Sequence, residues 1–180
     1  MDLIGRQVHL RRARAEDAEA LARIFAVPEI ARFTGPGLLL PHTEEDLRRE
    51  INDGAGPSPD RVGWHVVDRE DGAVIGNTGL FGIDWRSRHC WFAITLGPPE
   101  RLSRGLGTEA VRLVTRFGLR HLGMEKVCLG VFEGNERGRR AYEKAGYEVE
   151  VRRRRHHFLE GRLVDEYWMA AFCDHPLYRD

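Results

Sequence analysis

The chain has 180 residues, 42% of them hydrophobic and 31% charged, which is the size and composition of one soluble globular domain with a core of its own. Lys and Arg number 28 against 28 Asp and Glu, so no global field draws the molecule to nucleic acid or a membrane, and any polyanion site must be local. No apolar run approaches the ~20 residues that span a bilayer, and the start MDLIGRQVHLRRARAED lacks the basic-then-apolar pattern of a leader. Cys90, Cys128 and Cys173 show none of the C-x-x-C spacing of a disulfide framework or zinc knuckle, so a cytoplasmic protein in a reducing compartment is expected.

In chain order, RQVHLRRA alternates Val8 and Leu10 with polar neighbours as a half-buried strand does, and AEDAEALARIF places Ala18, Leu21, Ala22 and Phe25 at helical spacing. HTEEDLRREI sets Thr43 three residues before Asp46, close to a capping box, with Leu47 and Ile51 as a short apolar face. The Gly/Pro-rich loop NDGAGPSPD is too short to separate domains. RVGWHVVD and AVIGNTGLFGID join across the Asp71-Gly72 turn, RHCWFAITLGPP follows after WRSR, and the three strands predict an antiparallel meander ended by Pro98 and Pro99.

Past RLSRGLGTEA, the residues Leu106, Ala110, Leu113, Val114 and Phe117 form one helix face, with Gly123 placed to stop it. The strand EKVCLGVF then implies a parallel pairing through a right-handed crossover. NERGRRAYEKAG predicts a last helix between Asn135 as N-cap and Gly146 as C-cap, before the strands YEVEV and DEYWMAAF.

The stretch from Arg101 to Ala110 raises a question, since Gly105 and Gly107 each cost ~0.5–1 kcal/mol against alanine where a helix begins. A helix N-terminus offers unpaired N–H groups and partial positive charge, a ready phosphate site, and Arg101 and Arg104 add charge at its rim. A tight turn that binds nothing has the same signature. Glu109 suits the first turn by the helix dipole.

LSRGLGTEA, followed by VFEGNERGRRAYEKAGY and DEYWM, resembles the GNAT superfamily of acetyl-CoA-dependent N-acetyltransferases, and more closely its bacterial branch containing ribosomal-protein N-terminal acetyltransferases. The resemblance runs from VHLRRARAEDAEAL to WMAAF. It implies an α/β (α+β mixed sheet) fold: one domain over residues 1–180, with a splayed, mostly antiparallel sheet of six or seven strands flanked by about four helices.

It further implies that the backbone amides of Ser103 to Thr108 cradle the coenzyme pyrophosphate. Ile94, Leu96, Leu102, Ser103, Arg104, Gly105, Leu106, Gly107, Thr108, Asn135, Arg139 and Tyr142 are the implied coenzyme-binding set. Leu102 stands where the family has Gln or Arg, which removes one polar side-chain contact. Asn135 falls where the family contacts the pantetheine arm, although a plain N-cap explains it equally. Tyr142 falls where the family has a hydroxyl facing the coenzyme sulfur.

Acyl transfer to an amine needs a neutral amine, a polarised thioester carbonyl and a proton for the leaving thiolate. Tyr142 is the candidate acid, and a backbone N–H between Phe92 and Thr95 would serve the carbonyl. Glu133 is the preferred base, with His89 or Asp84 as alternatives. Direct transfer to a primary amine is expected, with a peptide N-terminal α-amine favoured over a small-molecule amine of antibiotic or polyamine type. A non-catalytic acyl-CoA-binding module and a cysteine hydrolase are the rival readings.

The run Arg152 to His157 is either a solvated strand or turn, or a patch for an acidic protein or RNA-rich partner. Adjacent strand residues face opposite ways, so His156 and His157 argue against a metal site. No metal, DNA or membrane partner is expected, and a homodimer is left open.

Overall fold

Val8 and Leu10 are fully buried while the alternate residues His9 and Arg11 are not, and this two-residue period sets which face of each strand meets the helices. The computed structural model describes residues 1–34, 43–54 and 58–179. Its strands are β1 (Leu3–Ile4), β2 (Val8–Arg11), β3 (Arg61–Asp68), β4 (Val74–Asp84), β5 (His89–Leu96), β6 (Lys126–Phe132), β7 (Glu148–Leu159) and β8 (Arg162–Phe172). The helices are α1 (Ala18–Phe25), α2 (Pro28–Ala31), α3 (Glu44–Gly54), α4 (Leu106–Arg116) and α5 (Glu136–Lys144).

The eight strands form one sheet in the order β1-β2-β3-β4-β5-β6-β8-β7. Among the described residues only β5 and β6 pair in parallel, as the helical crossover between them requires. The expected count of six or seven strands rises to eight because the two-residue β1 is too short to leave a periodic signal. The four-residue α2, begun by Pro28, escapes the sequence for the same reason and makes five α-helices among the described residues. The predicted strand YEVEV is only the start of β7, whose twelve residues take in the whole basic run.

Two apolar clusters cover the sheet. One joins Val8, Leu10, Val66, Leu80, Phe92 and Leu129 to Ala110, Val111 and Val114 of α4. The other joins Leu21, Ile24 and Phe25 of α1 to Ile30 and Leu47. The α3 cap is the reciprocal box that the spacing predicts: Thr43 N–H donates to Asp46 Oδ2 (3.0 Å) and Asp46 N–H donates to Thr43 Oγ1 (3.1 Å). The loop predicted across 52–60 lies partly outside the described residues, at 55–57.

Glu109 does more than sit in a favourable dipole. Its carboxylate accepts the backbone N–H groups of Arg6 (2.7 Å), Gln7 (2.7 Å) and Val8 (3.0 Å), tying the first turn of α4 to the β1–β2 turn. No helix among the described residues is long and apolar enough to cross a membrane.

Candidate active site

The parallel ladder between β5 and β6 stops after three pairs, the last Trp91 with Cys128, although β5 continues to Leu96 and β6 to Phe132. Beyond that point the strands splay. β5 still pairs β4 through Leu96, and β6 still pairs β8 through Phe132, so each keeps one satisfied edge and turns the other into the gap. The consequence shows in burial: Ile94 and Leu96 remain half-exposed in the middle of a sheet. Unpaired strand edges of this kind hold N–H groups that a ligand carbonyl can use.

The gap opens into a cleft of about 1530 Å³ that runs through the sheet. On the α4–α5 side it is lined by Ile94, Leu96, Leu102, Ser103, Gly105 to Thr108, Asn135 and Tyr142. The implied coenzyme set is thereby brought together, except for two arginines. Arg104 pairs with Glu70 and lies 3.8 Å from Asp68, outside the cleft. Arg139 pairs with Glu143 at 3.0 Å and stacks 4.9 Å over the Tyr167 ring, also outside it. Helical spacing explains the second case: Arg137, Arg140 and Lys144 share the cleft-facing side of α5 and Arg139 does not.

Arg101 reaches the cleft, but its guanidinium is bound to Asp68 (2.9 Å) and Asp71 (2.6 Å) on the β3–β4 turn. Arg101 and Arg104 therefore anchor the glycine turn more than they charge it. The turn itself has the conformation a phosphate cradle needs. Gly105 takes φ 92° as the residue before α4, Ser103 takes φ 63°, and no side chain caps the helix. The first helical bond is Glu109 N–H to Gly105 O, so the amides of residues 103–108 donate no hydrogen bond to the described residues.

Asn135 fulfils its cap reading, since its Oδ1 accepts Gly138 N–H at 3.0 Å, and it also lines the cleft. Tyr142 stands across from Phe92, ring centroids 6.3 Å apart, and its hydroxyl makes no hydrogen bond among the described residues. Burial pushes that phenol up to about 12, so it carries its proton throughout the physiological range.

None of the expected bases enters the cleft. Glu133 continues the β6–β8 ladder: its N–H donates to Asp165 O (2.8 Å), and its Oε2 accepts Asp165 N–H (3.3 Å). His89 pairs Lys126 at the closed end of β5 and β6. Asp84 accepts the amides of Arg86 (2.9 Å) and Ser87 (2.8 Å) in the turn before β5. A residue the sequence reading passed over lies in the cleft instead: Glu166 on β8, only 8% exposed. A Cβ on Gly130 would come within 2.5 Å of Glu166 Oε1, so the glycine leaves the carboxylate its place just past the splay.

His157 lines the cleft beside Glu166, with its Nε2 3.2 Å from Glu166 Oε1. His156 and His157 do not face opposite ways as a regular strand would require. The register shifts between Arg153 and His157, Arg155 takes φ 52°, and the two ring centroids lie 4.8 Å apart. Such a bulge could be found in sequence only as an unusually long polar run in a strand.

Burial pushes the Cys90 thiol up to about 12 and also raises Cys128, while the Glu125 carboxylate beside Cys173 raises that thiol, each away from the thiolate a nucleophile needs.

The family model described as an acetyltransferase (GNAT) domain matches residues 7–148. The L-amino acid N-acetyltransferase AaaT of Escherichia coli is 27% identical over 168 residues, spanning 91% of this chain and 97% of that protein. An acetyltransferase of the GNAT family from Bacillus anthracis superposes with a TM-score of 0.81 at 17% identity, covering 96% of this chain and 98% of that one. The spermidine N-acetyltransferase of Vibrio cholerae, solved with CoA and spermine, gives 0.80 at 20% identity over 93% and 96%. The two structures speak for the fold.

Proposed function

Since the chain belongs to the GNAT acetyltransferase family and is an N-acetyltransferase that uses acetyl-CoA, we propose that it transfers the acetyl group directly to a primary amine, in a ternary complex formed across the β5–β6 gap. Acetyl-CoA supplies the activated thioester. The observation that carries the reading is the coincidence of unpaired β5 edge, unbonded amides at residues 103–108 and a protonated Tyr142 along one wall of one cleft.

In this reading the amides of Ser103 to Thr108 receive the pyrophosphate, with Gly105 and Gly107 letting it approach the backbone. Arg137 and Arg140, which line the cleft without an ion pair among the described residues, supply the cationic contacts assigned from sequence to Arg104 and Arg139. Ile94 and Leu96 flank the pantetheine arm, Asn135 contacts it through the amide nitrogen its cap role leaves open, and a freed N–H of β5 polarises the thioester carbonyl. Tyr142 hydrogen-bonds the departing sulfur.

The acceptor enters from the opposite face, between α1, α2, α3 and the sheet. We favour a peptide N-terminal α-amine, as in the ribosomal-protein branch, because the cleft runs on past the coenzyme wall to Leu21, Ile30 and Leu47, which leaves room for a chain end. An alkyl diamine or amino acid is the second reading, favoured by the carboxylates Glu29, Glu50 and Asp53 on that wall and by the relatives' own acceptors. A thiol-release assay with acetyl-CoA against peptides with free N-termini, amino acids and polyamines separates them. Turnover on amino acids or polyamines alone would reject the peptide reading, and no turnover on any amine would reject the function.

A further inference from the structure

The reaction still lacks a group to take the proton of the incoming ammonium, and the geometry points to the β7–β8 pair His157 and Glu166 as the acceptor-amine station, with His157 Nε2 as the base. The inference rests on the amine-acetylation reading above.

The bulge creates the station. Arg153 pairs Glu166 and His157 pairs Val164, so four steps along β7 answer two along β8. An unbulged ladder would carry His157 opposite Arg162, ~6.6 Å further along at ~3.3 Å per residue. The bulge draws it back beside Glu166, and Arg155 N–H closes the detour onto Asp165 Oδ1 at 2.8 Å. Bulges commonly re-aim a side chain beside an active site.

The two oxygens of Glu166 have different surroundings. Oε2 accepts Trp168 Nε1–H at 2.8 Å and Arg153 Nη1–H at 3.3 Å, which fixes the carboxylate. Oε1 lies over Gly130 and next to His157 Nε2, with no hydrogen bond of its own among the described residues. His157 Nε2 is itself buried without a hydrogen-bond partner, since the 3.2 Å approach to Oε1 is out of alignment. An acceptor and a base thus sit side by side at the splay, 3.2 Å apart but without a hydrogen bond between them, and an N–H-rich cation placed between them satisfies both.

The charged and titratable groups around His157 are Glu166 from β8 and His156 and Arg153 from β7, while β6 presents the Phe132 ring, 4.2 Å between centroids. Trp91 of β5 and Trp168 of β8 pack edge to face at 4.9 Å nearby.

The steps balance as follows. The ammonium donates one N–H to Glu166 Oε1 and gives one proton to His157 Nε2, which passes it to solvent. The neutral amine forms the C–N bond as the C–S bond breaks. Nitrogen loses its second proton to solvent, and the thiolate, held by a hydrogen bond from the Tyr142 hydroxyl as it leaves, takes one from solvent, leaving amide and free thiol.

The test uses the full chain with His157→Asn and Glu166→Gln. Calorimetry should show acetyl-CoA affinity within twofold of wild type for both, while kcat/KM for an alkyl amine falls by ~10²-fold, the usual scale of general-base catalysis. The variants' rates should climb with pH toward the amine's own pKa, where wild type reaches its plateau earlier. An amine of pKa near 7 should lose much less. With no acetyl-CoA present, titrating the amine should shift the His157 ring resonances of the wild-type protein. Should Glu166→Gln fail to fold, His157→Asn and the resonance titration decide. Unchanged kcat/KM and pH profile in His157→Asn, or a loss that follows acetyl-CoA affinity, overturns the assignment while wild-type turnover keeps the acetyltransferase reading. Absence of turnover on every amine overturns both.

Discussion

Tyr142→Phe separates coenzyme binding from chemistry. The hydroxyl makes no hydrogen bond among the described residues, so its removal leaves no partner unsatisfied. Folding stability should stay within ~0.5 kcal/mol, as for changes that break no packing or polar contact. The ring contacts to Phe92 and Tyr147 survive the change, so acetyl-CoA affinity should be nearly unaltered. The loss of turnover follows from the pKa. Burial pushes the phenol to about 12, whereas a free thiol sits near ~8.5, so complete proton transfer to the thiolate would run uphill by several units. In the proposed reaction the contribution of Tyr142 is therefore chiefly a hydrogen bond to the charge growing on sulfur. Such a bond to an ionised group is worth ~1.5–3 kcal/mol, or a ~10- to ~150-fold fall in kcat. The assay is thiol release at saturating amine, with acetyl-CoA affinity from calorimetry. A coenzyme analogue with a more acidic thiol should narrow the difference. Unchanged kcat, or a fall fully accounted for by weaker coenzyme binding, would refute the reasoning and leave the ring as a wall of the tunnel. The upper limb of the wild-type pH profile should show no phenol titration across the physiological range, because burial pushes that group up to about 12.

Two further outcomes are expected. Arg137→Ala with Arg140→Ala should weaken acetyl-CoA binding by ~10-fold or more in calorimetry and steepen less with salt, while Arg139→Ala, turned toward Glu143 and Tyr167, should leave it unchanged; equal losses would put the phosphates elsewhere. Thermal stability should fall as pH drops below ~6.5. Burial lowers the His65 pKa despite Asp17, and Asp17, although burial pushes its carboxyl up, is held below the usual range by hydrogen bonds from Arg11 and His65. Both folded pKa values lie below their unfolded ones, so the unfolded chain takes up protons first. His65→Gln should flatten the pH 5.5–6.5 part of the melting curve series, and an equally steep fall in that variant would assign the effect to another histidine.

Most of the scaffold is legible in local signals. The alternation of Val8 and Leu10, the Thr43–Asp46 box, the Asp71-Gly72 turn and the helical stripe from Leu106 to Val114 each describe contacts within a few residues of one another, and each appears as expected. The glycine turn belongs with them, because positive φ at Gly105 and amides left free by a helix start are properties of the local backbone. What the sequence alone could not determine is which charged groups meet. Arg104 and Arg139 read as coenzyme contacts until Glu70 and Glu143 claim them, and Glu133 reads as a base until the β6–β8 ladder takes it up. Glu166 and His157 lie nine residues apart in the chain on paired strands, and a two-residue bulge decides that they touch. Strand register and ion pairing are set by long-range packing, and a one-residue slip would turn every side chain to the other face, so the juxtaposition of His157 and Glu166 exists only in the folded sheet.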